Sequence, residues 1–109
     1  MAEQQQEDHD WDPTRLPAIV AAIPRGGWMS YGDVARAAGG TLQHARGLNR
    51  RFVRDAVPGA HRVLQADGRI GPTALDDPDR VARRLRREGV RFTDGRADQD
   101  ARVRALPDR

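Results

Sequence analysis

Few side chains in this 109-residue chain could do covalent chemistry. There is no cysteine, which excludes disulfides, thiolate metal sites and a cysteine nucleophile. The three histidines, His9, His44 and His61, share no helical or strand spacing and make no metal-ligand set. What remains is arginine. No lysine occurs, so all 19 basic residues are arginine. Their planar forks bind phosphate bidentately and stack on bases. The charge is unevenly placed. Residues 1–12 carry Glu3, Glu7, Asp8, Asp10 and Asp12 without a base, so the formal +3 of the whole chain becomes +8 over residues 13–109. A basic body of this size favours a polyanionic partner.

The elements that must position these arginines can be read from the pattern. The length gives one domain with a modest core, and that core is aliphatic because only 5% of residues are aromatic. No apolar run approaches the ~18 residues of a membrane span. The polar N-terminus lacks the apolar stretch of a secretory signal. A cytoplasmic monomer with no membrane contact, no metal and no cofactor is expected.

Residues 1–11 read as a disordered acidic N-terminus. Asp12-Pro13 and Pro17 are competing helix starts. Leu16, Ile19, Val20 and Ile23 then share one apolar face, stopped by Pro24. Ser30 is an N-cap with Asp33 as its capping-box acid. The helix it opens turns Val34, Ala35 and Ala38 inward and ends at Gly39-Gly40. Thr41 caps a third helix over residues 42–54. Leu42, Ala45, Leu48 and Phe52 form its buried stripe, and Arg46, Arg50 and Arg54 recur on another face. Two short helices, the second basic, make a helix-turn-helix pattern.

After the break at Val57-Pro58-Gly59, the pattern predicts a strand over residues 61–65. A turn at Ala66-Asp67-Gly68 and a returning strand from Arg69 complete a wing. Asp77-Pro78 opens a last helix with Val81 and Leu85 inward and arginines outward. Gly89 ends it, and Val90 and Phe92 return to the core. Residues 93–109 read as a flexible polar tail. The expected fold class is mainly α with a small β wing, a winged helix-turn-helix over residues 12–92.

Five pieces occur in the order and approximate spacing of a known pattern. They are Ile23-Pro24-Arg25-Gly26; Ser30-Tyr31-Gly32-Asp33-Val34-Ala35-Arg36; Ala45-Arg46; His61-Arg62-Val63-Leu64 with Asp67-Gly68-Arg69-Ile70; and Leu85 with Glu88-Gly89-Val90 and Phe92. One piece alone would arise by chance; five in order are specific. Over residues 14–92 the chain resembles the DNA-binding domain of O6-alkylguanine-DNA alkyltransferases. More narrowly, it is similar to the alkyltransferase-like proteins that lack the reactive cysteine. In the transferases a Pro-Cys precedes the His-Arg-Val. The thiolate, activated by the histidine through a water and a glutamate, takes the alkyl group from a flipped guanine. Here Ala60 stands at that position. A methyl group has no lone pair, so alkyl transfer there is excluded, and no catalytic residue is expected.

The resemblance implies roles for the rest. Arg46 matches the arginine finger that fills the stack vacated by a flipped base. Tyr31 matches the tyrosine that turns the 3′ phosphate, and the helix end beneath it offers backbone N–H groups to a phosphate. Ser30, Tyr31, Arg46, Arg50 and Arg51 are the implied DNA contacts. Tyr31, Ala60, His61, Val63, Gly68 and Arg69 are the implied lesion pocket. His61 and Glu88 are structural, hydrogen-bonded behind it. The implied protein is not an enzyme. It binds O6-alkylguanine in double-stranded DNA by nucleotide flipping and flags it for nucleotide excision repair proteins. The alternative is a plain winged-helix regulator that reads undamaged duplex without flipping.

The sequence departs from the family pattern in three places. Pro58 and Ala60 are separated by Gly59, so either Gly59 replaces the family's proline or one residue is inserted. The stretch from Arg54 to Pro58 is short and offers no match for the asparagine that follows the recognition helix. Leu48-Asn49-Arg50-Arg51 is bulkier and more charged than the small residues usual there.

Overall fold

The computed structural model describes residues 10–106. The acidic N-terminus expected over residues 1–11 lies outside them, apart from Asp10 and Trp11. Trp11 is half-buried and stacks on His44, with ring centroids 4.3 Å apart and planes within 14°.

Both expected helix starts are used. Asp12 caps one turn of 3-10 helix, Pro13–Arg15, its carboxylate accepting from the Thr14 amide at 3.1 Å. That turn runs into α1, Leu16–Ala21, with Pro17 in its first turn, where a missing N–H costs nothing. α1 buries Leu16, Ile19 and Val20, and Ile23 follows them inward. β1, Met29–Ser30, leads into α2, Tyr31–Ala37. The capping box closes as the sequence predicts. The Ser30 hydroxyl accepts from the Asp33 amide at 2.9 Å, and the Asp33 carboxylate accepts from the Ser30 amide at 3.0 Å.

The expected third helix is divided. A 3-10 segment, Leu42–Gly47, precedes α3, Leu48–Asp55. Three residues per turn in the first part and 3.6 in the second cannot share one stripe. Leu48 and Phe52 are buried, but Leu42 is 63% exposed. Arg46 rides on the tight segment and Arg50 on α3.

The wing is made of other strands than expected. β2, Val63–Leu64, pairs in parallel with β1, in the register Met29↔Val63 and Ser30↔Leu64. The turn after it does form, with the Gly68 amide donating to Gln65 O at 2.8 Å. Arg69 then bridges Arg96, in the hairpin of β3, Phe92–Thr93, and β4, Arg96–Ala97. Gly68 makes this closure possible. Its φ is +88°, and a Cβ there would lie 2.6 Å from the Ala97 carbonyl. The fold remains mostly helical with a small two-stranded wing.

α4, Pro78–Arg87, is capped by Asp77 and buries Val81 and Leu85. The flexible tail expected from residue 93 is instead built into the fold as far as Leu106. The Trp28 amide donates to Ala101 O at 3.1 Å, and the Val103 amide to Trp28 O at 2.7 Å. The Trp28 indole donates to Asp98 O at 3.0 Å. Val103 and Leu106, the sparse apolar residues of this segment, pack against the core. Among the described residues no helix is long and apolar enough to cross a membrane.

Candidate nucleic-acid interface

The helix-turn-helix presents its implied contacts unequally. Tyr31, the first residue of α2, is half-buried and stacks on Phe52 at 6.5 Å between centroids. Burial raises its phenol pKa, so the hydroxyl stays a neutral hydrogen-bonding group. Ser30 is only 2% exposed. Its hydroxyl is occupied by the Asp33 amide and by Arg102 Nη2 at 3.2 Å, so it holds the helix rather than facing a partner. Arg46 and Arg50 are exposed and form no ion pair among the described residues. Arg51 is half-buried on the other flank of α3, in a groove it shares with Pro13, Pro17 and Asp55. Arg54 is taken up by Asp55 at 2.9 Å.

A cavity of about 510 Å³ opens beside Ala60, within the range of about 300–1,000 Å³ typical of small-ligand sites. Ala60 and His61 lie on one side. Phe52, Val53 and Ala56 of α3 form another, and Val81, Arg80 and Arg84 of α4 a third, with Leu75 and Asp77 between. Two of the six implied pocket residues, Ala60 and His61, therefore line it; four do not. Val63 is 2% exposed in the core on β2. Gly68 and Arg69 are drawn to β4, which leaves the stretch around Leu75 to wall the cavity. Tyr31 reaches it only through Phe52.

The wall around Leu75 depends on a residue that the sequence did not single out. Asn49 of α3 donates to Thr73 O at 2.9 Å and accepts from the Leu75 amide at 2.9 Å. It thereby supports two residues in left-handed conformation, Leu75 at φ +48° and Asp76 at φ +60°. Such conformations persist in non-glycine residues only where surroundings hold them. Nothing in the sequence pairs Asn49 with this loop.

Behind the cavity sits a buried ionic knot. His61 lies in the 3-10 turn Ala60–Arg62 and is 1% exposed. Its Nε2 donates to Glu88 at 2.8 Å. Arg62 binds the same carboxylate through Nε at 2.9 Å and Nη2 at 2.8 Å, and reaches Ile23 O at 3.1 Å through Nη1. The Arg62 hydrogen bonds, with help from His61, hold the Glu88 carboxyl down at about 2. Burial lowers the His61 pKa, and Glu88 only partly opposes this. His61 is thus neutral, and its Nδ1 is a lone-pair acceptor with no partner among the described residues. His61 and Glu88 are thus bonded to each other behind the cavity, and among the described residues no thiol or hydroxyl lines it.

Gly59 turns this loop through a left-handed conformation. Its φ is +85°, whereas the proline ring fixes φ near −65°. A proline could not adopt this conformation, so the loop as folded here depends on the glycine. In either register, Pro58, Gly59 and Ala60 supply no nucleophile.

Residues 14–90 match the family described as 6-O-methylguanine DNA methyltransferase, DNA binding domain. The chain belongs to that family. The DNA base-flipping protein of Escherichia coli (strain K12) is 37% identical over 90 residues, covering 81% of this chain and 69% of that one. The methylated-DNA–protein-cysteine methyltransferase of Methanothermobacter thermautotrophicus is 39% identical over 57 residues, covering 52% of this chain and 32% of its own. The crystal structure of S. pombe Atl1 in complex with damaged DNA containing O6-carboxymethylguanine superposes with a TM-score of 0.58. The two are 26% identical, and the match covers 73% of this chain and 77% of that one. Within the methyltransferase family this chain is a member with no cysteine at all. His61 of the ionic knot lines the cavity beside the methyl group of Ala60.

Proposed function

We propose that this protein recognises O6-alkylguanine in duplex DNA by flipping the nucleotide and leaves the alkyl group in place. The bound complex then marks the lesion for nucleotide excision repair. The observation that carries this reading is the cavity beside Ala60. It lies against the helix-turn-helix, is large enough for a small ligand and, among the described residues, is lined by no thiol or hydroxyl that could accept an alkyl group. The E. coli relative named a DNA base-flipping protein and the Atl1 complex with damaged DNA support it.

The mechanism follows from the placement of the groups. Extruding a nucleotide costs a few kcal/mol of stacking and pairing. The 3-10 segment and α3 enter the minor groove, and the exposed Arg46 fills the vacated stack with a planar cation. Tyr31, held on Phe52, turns the neighbouring phosphate. Arg50 contacts the backbone. The base enters the cavity with its O6 substituent toward Ala60, whose small side chain admits bulkier alkyl groups.

The test is a comparison of duplexes with and without one O6-methylguanine at one salt concentration, because phosphate-driven affinity falls steeply with salt. The lesion duplex is expected to bind more tightly and to be recovered with its methyl group intact. Equal affinity would identify a plain duplex reader. Loss of the methyl group would identify an enzyme.

A further inference from the structure

The segment that carries Arg46 has little hold on the core. The 3-10 helix Leu42–Gly47 buries no residue. Leu42 is 63% exposed, and of the segment's two apolar side chains only Ala45 packs, half-buried, against the core. Hydrogen bonds of 3-10 geometry are poor, so they hold so short an element weakly. His44 supplies a second hold. Its ring is fixed at one edge, where Nδ1 accepts from the Thr41 amide at 2.9 Å, and on one face, where Trp11 stacks at 4.3 Å between centroids. Trp11 is itself seated. The next amide along the chain, that of Asp12, donates to Ala38 O at 2.9 Å. The indole lies so close over Gly40 that a Cβ there would stand 2.5 Å from it. A residue from ahead of α1 thus closes the turn between the two helices of the motif. Arg46 follows His44 by two positions on the element held in this way.

An arginine on a loose segment must be ordered as it binds, and the ordering lowers affinity. A segment fixed beforehand avoids that loss. We propose that Trp11 is a positioning residue for DNA recognition: its stack on His44 fixes the 3-10 segment, so that Arg46 is presented in the geometry that fills the vacated stack. This rests on reading Arg46 as the group that replaces a flipped base.

The experiment uses the full chain and has two readouts. The first needs no DNA. The amides of His44 and Leu48 donate within the segment, to Thr41 O and Ala45 O. In Trp11→Ala their hydrogen exchange should quicken while the amides of α4 keep their protection. Unchanged exchange at His44 and Leu48 overturns the proposal, and so does equal quickening in α4, which would show a merely destabilised fold. The second readout compares duplexes with and without one O6-methylguanine at one salt concentration, well below the melting temperature. Trp11→Ala should bind the lesion duplex about threefold to tenfold less tightly and the undamaged duplex nearly as before. Trp11→Phe, which keeps a ring over His44, should restore most of the loss. In the Arg46→Ala protein, adding Trp11→Ala should cost nothing further on the lesion duplex, because the two residues act as one unit. Equal weakening on both duplexes, or a further loss in the double variant, overturns the proposal. If the unaltered protein binds O6-methylguanine no better than guanine, the lesion reading itself has failed, and exchange alone decides whether Trp11 fixes the segment. A Trp11→Ala protein that does not fold is replaced by Trp11→Leu, which keeps an apolar cover without a ring and is read in the same way.

Discussion

Two buried carboxylates, Glu88 and Asp33, organise opposite parts of this molecule with the same chemistry. Their side chains are 4% and 2% exposed, and each receives a two-pronged arginine, Arg62 in one case and Arg102 in the other. Both titrate below the usual carboxylate range. For Glu88 the Arg62 hydrogen bonds dominate; for Asp33 burial pushes upward, and bonds from Arg102 and Ser30 outweigh it. The difference lies in what is joined. Glu88 ties the end of α4 to the loop under the cavity and, through Arg62, to Ile23. Asp33 ties the first turn of α2, where Tyr31 sits, to the C-terminal segment. One knot fixes the floor of the cavity, and the other fixes the helix proposed to address DNA. A small aliphatic core therefore leaves the aiming of both functional parts to ion pairs.

The largest effect is expected at Glu88. Glu88→Gln leaves Arg62 without an anion in a site where it is only 15% exposed, and breaking a buried pair costs about 3–5 kcal/mol. The sign with pH is fixed. The unfolded carboxyl takes a proton near 4.5, the folded one only near 2. The unfolded state thus binds more protons in between, and this contribution is complete above 4.5 and lost on the way down to 2. It is worth about 3 kcal/mol by linkage. Urea midpoints against pH should show the loss in the unaltered protein and its disappearance in the variant. A Glu88→Gln protein within about 1 kcal/mol of the original would show that the knot is incidental.

Arg102→Ala should cost less, about 2 kcal/mol. Asp33 keeps its two bonds with Ser30, and Arg36 stands 3.3 Å away. The comparison is sharpened by the DNA readout. If the Asp33 clamp aims α2, Arg102→Ala also weakens lesion binding when measured well below its melting temperature. Unchanged binding would reduce the clamp to a staple for the C-terminal segment.

These two knots also show what was legible in the sequence. The Ser30–Asp33 box, the α1 face and the helix-turn-helix depend on neighbours in the chain, and they could be read. Glu88 and His61 came from an ordered motif. Arg102 could not be read, because its partner lies far away and its own surroundings are polar. Leu42 was misplaced because hydrophobic spacing does not distinguish 3-10 from α. The wing was misplaced because β2 found its partner in β1, and Gly68 let the following turn close on β4. The candidate site was legible at Ala60 and His61. Its α3 and α4 walls come from residues that only the tertiary fold brings together.

Asn49→Ala tests the wall. It removes the acceptor for the Leu75 amide and the donor to Thr73 O, beside two left-handed residues. A cost of about 1–2 kcal/mol is expected. Binding of the lesion duplex should fall more than binding of undamaged duplex, because the pocket wall loosens while the exposed arginines remain. Equal losses on both duplexes would separate this loop from lesion recognition.

The smallest change in stability, and the sharpest in binding, belongs to Arg46. It is exposed and has no ion-pair partner among the described residues. Arg46→Ala should therefore leave the unfolding free energy within about 0.5 kcal/mol. That contrast with Arg62 and Arg102 separates arginines spent on holding the fold from those left for a partner. If Arg46 fills the stack, its loss removes the preference for lesion over undamaged duplex. Arg50→Ala, at the proposed backbone contact, should instead weaken both and lower the salt slope by about one. Identical profiles for the two variants would place both arginines on phosphates, and nothing would then hold open the gap that a flipped base leaves.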